Sequence, residues 1–201
     1  MLAVHFLAIE QAFCLWGVSY AIISIILLTL WSMKKITFSL RWFLYTPIIL
    51  LYLCGVIAVT MLPLPNPEEY THICFENPYY PRFILGWSLQ FAIRDFSSMG
   101  IGAILTSSYI KGLILNVALF LPAGIFLALL AKTTWKTTLF ASFGLSMLIE
   151  LTQLTGIWGY YPCAYRTFDA EDLLTNTIGT MIGWSIIELL RRATHQQPTK
   201  N

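Results

Sequence analysis

The residues able to do chemistry gather in the second half of this 201-residue chain. The stretch SFGLSMLIELTQLTGIW, Ser142 to Trp158, is apolar in character except for Glu150 and Gln153. Three positions apart, these two share one face of a helix. Upstream, GLILNVALFLPAGIF carries Asn116 ahead of Pro122 and Gly124. Downstream, YRTFDAEDLLTNTIGTMIGW carries Arg166 and then Asp169, Asp172, Asn176, Gly179 and Gly183. The last five advance by three, four, three and four, which is one helical stripe. Three kinds of chemistry suit such a set. A guanidinium with carboxylate and amide partners can hold a phosphate, sugar or amine head group. A buried glutamate can act as a general acid or base. Acidic residues can also hold a divalent cation facing a lipid phosphate.

Those residues must be positioned by membrane helices. The composition is 57% hydrophobic and 11% charged, with a mean hydropathy of +0.70. That is more apolar surface than a water-solvated exterior tolerates, and it excludes an ordinary soluble domain. A span takes about 20 mostly apolar residues. The segments Ala12–Trp31, Trp42–Leu62, Gly112–Ala131 and Leu139–Ile157 meet this, and Leu173–Leu190 is a less hydrophobic fifth. Between them, residues 83–105 are broken by Gln90, Arg94 and Asp95 and read as an interfacial or re-entrant segment. The expected fold is an all-α polytopic bundle forming one membrane domain, whose last three helices enclose the polar residues.

Lys and Arg set the orientation. Lys34, Lys35, Arg41, Lys132, Lys136, Arg191, Arg192 and Lys200 all fall on one side of a five-span chain. Arg82, Arg94, Lys111 and Arg166 fall on the other, with most of the acidic residues. The expectation is a multi-pass protein with its N-terminus outside and its C-terminus in the cytoplasm. The first apolar run has no basic leader and carries Glu10, so it reads as an anchor rather than a cleaved signal. A net charge of +2 gives no reason to expect nucleic-acid binding.

On that topology the polar residues share a depth. With about 1.5 Å of rise per residue, Asn116 lies about 7 Å below Lys111 and Asn176 about 6 Å below Asp172. By the same rise Glu150 and Gln153 lie about 12 Å and 8 Å below Trp158. Three helices therefore bring polar groups to one level, which suggests a pocket opening outward. Gly179 and Gly183 form a G-x-x-x-G that lets a neighbouring helix approach closely. Pro122 removes a backbone donor within its helix.

Of four cysteines, Cys14 and Cys54 lie in apolar runs and read as small hydrophobes. Cys74 and Cys163 fall in outer loops, where a disulfide is permitted, two separate thiols being the alternative. No paired spacing marks a metal site or a cofactor. The loop PLPNPEEYTHICFENPYYPR is either a lid or a connector. His5, His72 and His195 stand apart from the cluster and read as solvated. Arg94 and Asp95 suit an ion pair, and Glu188 with Arg191 and Arg192 suits a helix end.

The second half also carries a resemblance. Asn116, the run Phe120-Leu121-Pro122-Ala123-Gly124, Ser146 with Glu150 and Gln153, and then Arg166, Asp169, Asp172, Asn176-Thr177 and Gly179 stand in order. This pattern is similar to the VanZ family of teicoplanin-resistance proteins, over a core of residues 112–190. The resemblance implies a small polytopic protein of the bacterial cytoplasmic membrane. It also implies a link to lowered susceptibility to teicoplanin, a glycopeptide with a fatty-acyl tail. Its partners would be membrane lipids, an envelope lipid precursor or the lipoglycopeptide itself.

Three readings of the cluster stand side by side. As interhelical glue, each amide or carboxyl contributes about 0.6–2 kcal/mol. An ionised Glu150 at that depth costs about 2.5–3.5 kcal/mol, which glue explains poorly. As a binding site, Arg166 at the rim meets an anionic head group while Glu150 and Gln153 accept hydrogen bonds. As an enzyme, Glu150 works on a lipid-linked substrate, but no nucleophile–histidine pair accompanies it. The binding site is the preferred reading.

Overall fold

In a computed structural model the chain is all-α, with no strand among the described residues. The structure describes residues 2–33, 40–62, 64–76 and 79–195. The side chains at 2–8, 40–43, 69, 72, 73, 75, 76, 104, 105 and 195 lie outside that description. Lys34, Lys35 and Lys200, part of the inside-charge argument, therefore lie outside the described residues, as do the side chains of Arg41, His5, His72 and His195.

Among the described residues, five helices are long and apolar enough to cross a membrane. They are α1 (Leu2–Ser32), α2 (Leu40–Met61), α6 (Ser108–Leu129), α7 (Trp135–Leu154) and α9 (Ala170–His195). Gln90, Arg94 and Asp95 lie inside one unbroken helix, and the segment is instead divided by Gly86 and Gly100, both at positive φ. Residues 83–105 form two short helices, α4 (Trp87–Met99) and α5 (Gly102–Thr106). At about 1.5 Å per residue neither approaches the thickness of a bilayer. The proline-rich loop contains α3 (Pro67–Glu76), which begins on the proline its missing N–H suits.

The chain divides into two compact units, Met1–Asn66 and Pro67–Asn201. In the first, α1 packs along α2, and the Trp16 indole N–H donates to the Pro47 carbonyl at 3.0 Å. Ile22, Ile25, Ile26 and Leu28 stay exposed on α1, as side chains facing hydrocarbon would. Cys54 is buried and Cys14 exposed.

In the second unit α9 is the middle helix, packed on α6 to one side and on α7 to the other. Glycines make the α6–α9 seam. A Cβ added to Gly124 would lie 1.9 Å from the Thr180 carbonyl oxygen. One on Gly179 would lie 2.3 Å from that of Val117, and one on Gly183 2.0 Å from that of Leu121. No side chain fits at any of the three, so the backbones touch. Pro122 sits inside α6 between these contacts. The pairing of residue 117 with 179 and 121 with 183 makes α6 and α9 parallel. At the far end, the Arg191 guanidinium donates to the Ala128 carbonyl at 2.6 Å, meeting the unpaired acceptors of the last turn of α6.

The α7–α9 seam is different, being small and polar. Thr138, Ser142, Ser146 and Glu150 recur every fourth residue along α7 and are all buried. The Trp184 indole donates to the Thr133 carbonyl near the start of α7, while Glu150 reaches the start of α9. Thus α7 runs antiparallel to α9. Side-chain caps fix each start: Ser107 accepts from the Ile110 N–H, Thr134 from Thr137 and Asp169 from Glu171.

Candidate functional site

The polar residues converge where α9 begins. Asp169 caps that helix, and its second carboxylate oxygen accepts from the Arg82 guanidinium at 2.6 Å. The backbones of these two residues also pair. The Arg82 N–H donates to the Phe168 carbonyl at 2.8 Å, and the Ala170 N–H returns to the Arg82 carbonyl at 2.9 Å. Glu150 comes to the same place from α7, accepting the Asp169 backbone N–H at 2.8 Å. Only 2% of Glu150 is exposed. This carboxyl is therefore reached through the protein, not directly from solvent.

One turn further along α9, Asp172 accepts from the Asn116 amide at 2.7 Å, a direct link to α6. On the α7 side the Asn176 amide donates to the Ser146 hydroxyl at 2.9 Å, and Ser146 donates to the Asp172 carbonyl at 3.4 Å. The single stripe read along α9 thus divides between two neighbours. Asp172, Gly179 and Gly183 serve α6, whereas Asn176 serves α7. The Asn176 side-chain oxygen is buried and meets no hydrogen-bond donor, in a residue 3% exposed.

Exposure changes along this cluster. Glu150, Gln153, Asp169 and Asn176 are buried, Asn116 and Asp172 half-buried, and Arg166 exposed. Arg166 stands close enough for its charge to act on Glu150, Tyr165 and Asp172. Gln153 also anchors the loop that follows α7, its backbone carbonyl accepting from the Tyr165 N–H at 3.3 Å. Among the described residues no three His, Cys, Asp or Glu side chains are grouped to hold a metal ion.

The loop above the cluster is tied down. Cys74 and Cys163 form a disulfide across 89 positions of sequence, joining α3 to the segment after α7. The Tyr70 hydroxyl donates to the Ala164 carbonyl at 2.7 Å, and its ring packs edge-on against Tyr161. The segment Gly156–Gly159, α8, is a left-handed turn, with positive φ at all four residues. Gly156 is required there because a Cβ would meet the Cys163 carbonyl at 2.4 Å. Trp158 and Tyr160 project outward as an interfacial belt would, but Tyr161 and Tyr165 are core residues. Burial pushes the Tyr70 and Tyr165 phenols up to about 12.

A model of the VanZ/LLP1 family matches residues 49–191 of the chain. The chain belongs to the VanZ/LLP1 family. No curated protein and no solved structure matches it significantly. The family match begins within α2, well before Asn116, and takes in the proline-rich loop and the disulfide. It makes this a VanZ-like multi-pass membrane protein of a bacterial family linked to teicoplanin resistance.

Two site residues of this VanZ-like chain are not apparent from its sequence. Arg82 lies 87 positions from its partner Asp169. Glu171 lies more than 80 positions from the backbone N–H groups of Gly86, Ser88 and Leu89, which its carboxylate accepts at the start of α4. An acidic residue in the first turn of α9 thus caps a different helix. The Arg94–Asp95 ion pair forms at 3.0 Å. The Ser107 hydroxyl and then that guanidinium hold the Asp95 carboxyl below the usual carboxylate range. Glu188 pairs with Arg191 within α9.

Proposed function

We propose that this VanZ/LLP1 member holds the polar head of a cell-envelope amphiphile at the start of α9, and that doing so lowers susceptibility to teicoplanin-type lipoglycopeptides. Arg166, Asp172 and Asn116 meet the head group, with Glu150 and Gln153 as the wall behind them. Asp169 and Asn176 keep that wall in register. The N-terminus lies outside and the C-terminus in the cytoplasm. The supporting observation is a gradient of burial among the polar residues at the start of α9, with Arg166 exposed, Asp172 and Asn116 half-buried and Glu150 2% exposed. A carboxyl at the buried end of such a gradient is costly if it has only a structural task. Orientation is supported by Lys132, Lys136, Arg191 and Arg192, which stand at the opposite ends of α6, α7 and α9 from Lys111, Arg82 and Arg166.

The test is a titration of the full chain in nanodiscs with teicoplanin, using the tail-free glycopeptide vancomycin for comparison. The reading expects saturable binding of teicoplanin only. Arg166→Ala should weaken it about tenfold, the scale of one charge-assisted hydrogen bond. Equal binding of both drugs, or an unchanged affinity in the variant, contradicts the reading.

A second reading has a specific observation in its favour. Asn116–Asp172, Ser146–Asn176 and Glu150–Asp169 each join two elements, as interhelical glue would. Under that reading, variants of these residues lose protein from the membrane in proportion to any loss of protection.

A further inference from the structure

Two grooves flank the first turns of α9. One, of about 500 Å³, lies between α4, α6 and α9 and runs along α6 from Leu113 to Leu121. The other, of about 410 Å³, lies between the Phe83–Leu85 segment, α7 and α9. Leu174 lines both and stands half-exposed as the ridge between them. The eight helical rises from Leu113 to Leu121 make the first groove about 12 Å long, room for much of an acyl chain.

The polar lining groups are already engaged within the protein. The Glu171 carboxylate accepts three backbone N–H groups at the start of α4. The Thr175 hydroxyl donates to the Glu171 carbonyl and the Thr177 hydroxyl to that of Leu173. Neither groove has a side-chain donor left for a polar ligand, and α6, α7 and α9, which supply most of their lining, are long and apolar enough to cross the hydrocarbon layer. Such slots fit hydrocarbon chains.

Charge stands at one end of both. Lys111, exposed, precedes the Leu113 end of the first groove by two residues, and Arg82 directly precedes Phe83 in the second. Because α6 and α9 are parallel and Asn116 meets Asp172, the two cations share a level. Lys111 lies about 7 Å and Arg82 about 5 Å beyond that pair. The Nε of Arg82 is buried and meets no acceptor.

From this arrangement we infer that the grooves hold the two acyl chains of one anionic phospholipid astride Leu174, its phosphate between Lys111 and Arg82. The inference rests on the amphiphile reading for its ligand class alone, and it places the phosphate at Lys111 and Arg82, apart from the head-group contacts of Arg166. Two chains match two slots that share a ridge, and the phosphate complements exposed Lys111 together with the part-exposed guanidinium that Arg82 shares with Asp169.

The experiment uses the full chain in nanodiscs containing phosphatidylglycerol with a diazirine in each acyl chain. Light should attach the lipid to peptides spanning 113–121 and 139–143, and unlabelled phosphatidylglycerol should compete about tenfold better than phosphatidylcholine or single-chain lysophosphatidylglycerol. Ala118→Trp fills the first groove and should abolish labelling of 113–121 while weakening that of 139–143 about tenfold, the loss a single-chain lipid shows. Labelling of 139–143 that still saturates at higher lipid shows that the variant is folded, and labelling there as strong as in wild type means two separate sites and overturns the inference. Labelling spread evenly over all lipid-facing helices, equal competition by the zwitterionic or the single-chain lipid, or an Ala118→Trp that labels as wild type overturns the inference. Failure here with teicoplanin titration intact sinks the lipid assignment alone; loss of drug binding with groove labelling intact sinks the head-group reading alone.

Discussion

Glu150 accepts the backbone N–H of Asp169 at 2.8 Å, fixing the middle helix of the second unit to its antiparallel neighbour at the point where α9 starts. The bond is buried, so its loss strands a donor away from water. Glu150→Gln keeps an acceptor oxygen there and should unfold within about 1 kcal/mol of wild type, whereas Glu150→Ala should lose about 1–3 kcal/mol. Thermal unfolding in detergent checks this. Equal loss in both variants would mean that the charge, not the hydrogen bond, holds the seam.

The α6–α9 seam predicts a sharp difference between glycines. Gly183→Ala places a Cβ 2.0 Å from the Leu121 carbonyl oxygen, so the helices must part. Overpacking of this kind costs about 1–3 kcal/mol. Gly112→Ala, in α6 with nothing within 4 Å, should be neutral or slightly stabilising. Melting temperatures of the two variants decide it.

Buried phenols give the protein an alkaline limit. Tyr70 and Tyr165 have folded-state values raised to about 12, first by burial. A raised acid of this type contributes stability that is complete below its unfolded value of about 10 and lost as pH rises towards about 12. Absorbance at the phenolate band should therefore show these two ionising only as pH approaches about 12. Tyr165→Phe should remove part of the fall in stability above about pH 10.

The Cys74–Cys163 bridge closes 89 positions of sequence. Reduction, or Cys74→Ser with Cys163→Ser, should cost about 2–4 kcal/mol. It should also expose α3 to protease before the spans are cut. A reduced protein as resistant as the oxidised one would show that Tyr70 and its hydrogen bond to Ala164 suffice.

Much of this architecture is written locally in the chain. Five helices of spanning length follow from uninterrupted apolar runs, whereas residues 83–105 are divided by Gly86 and Gly100, with Gln90, Arg94 and Asp95 inside one short helix. The glycine seam follows from the spacing of Gly179 and Gly183, because a three-to-four period lets only one face carry them. The polar stripe was harder, since a spacing cannot say which neighbour each residue meets. Asp172 and Asn176 lie on one stripe yet bond to α6 and α7 respectively. Thr138 and Ser142 carried a usable signal, lying at steps of four ahead of Ser146 and Glu150. Arg82 and Glu171 carried none, because their partners are far away in sequence and are mostly backbone groups or a cap. The left-handed turn at Ile157 and Trp158 is likewise unmarked except by its flanking glycines, as neither side chain favours positive φ.

The cluster at the start of α9 is either a site or only a latch between helices. The most direct measurement is teicoplanin susceptibility of cells expressing wild type, Glu150→Gln, Arg166→Ala or Asp172→Asn, each read against the amount of protein in the membrane. The site account predicts that protection falls in all three variants at normal protein levels. Protection that tracks protein abundance, or that survives all three substitutions, would contradict it.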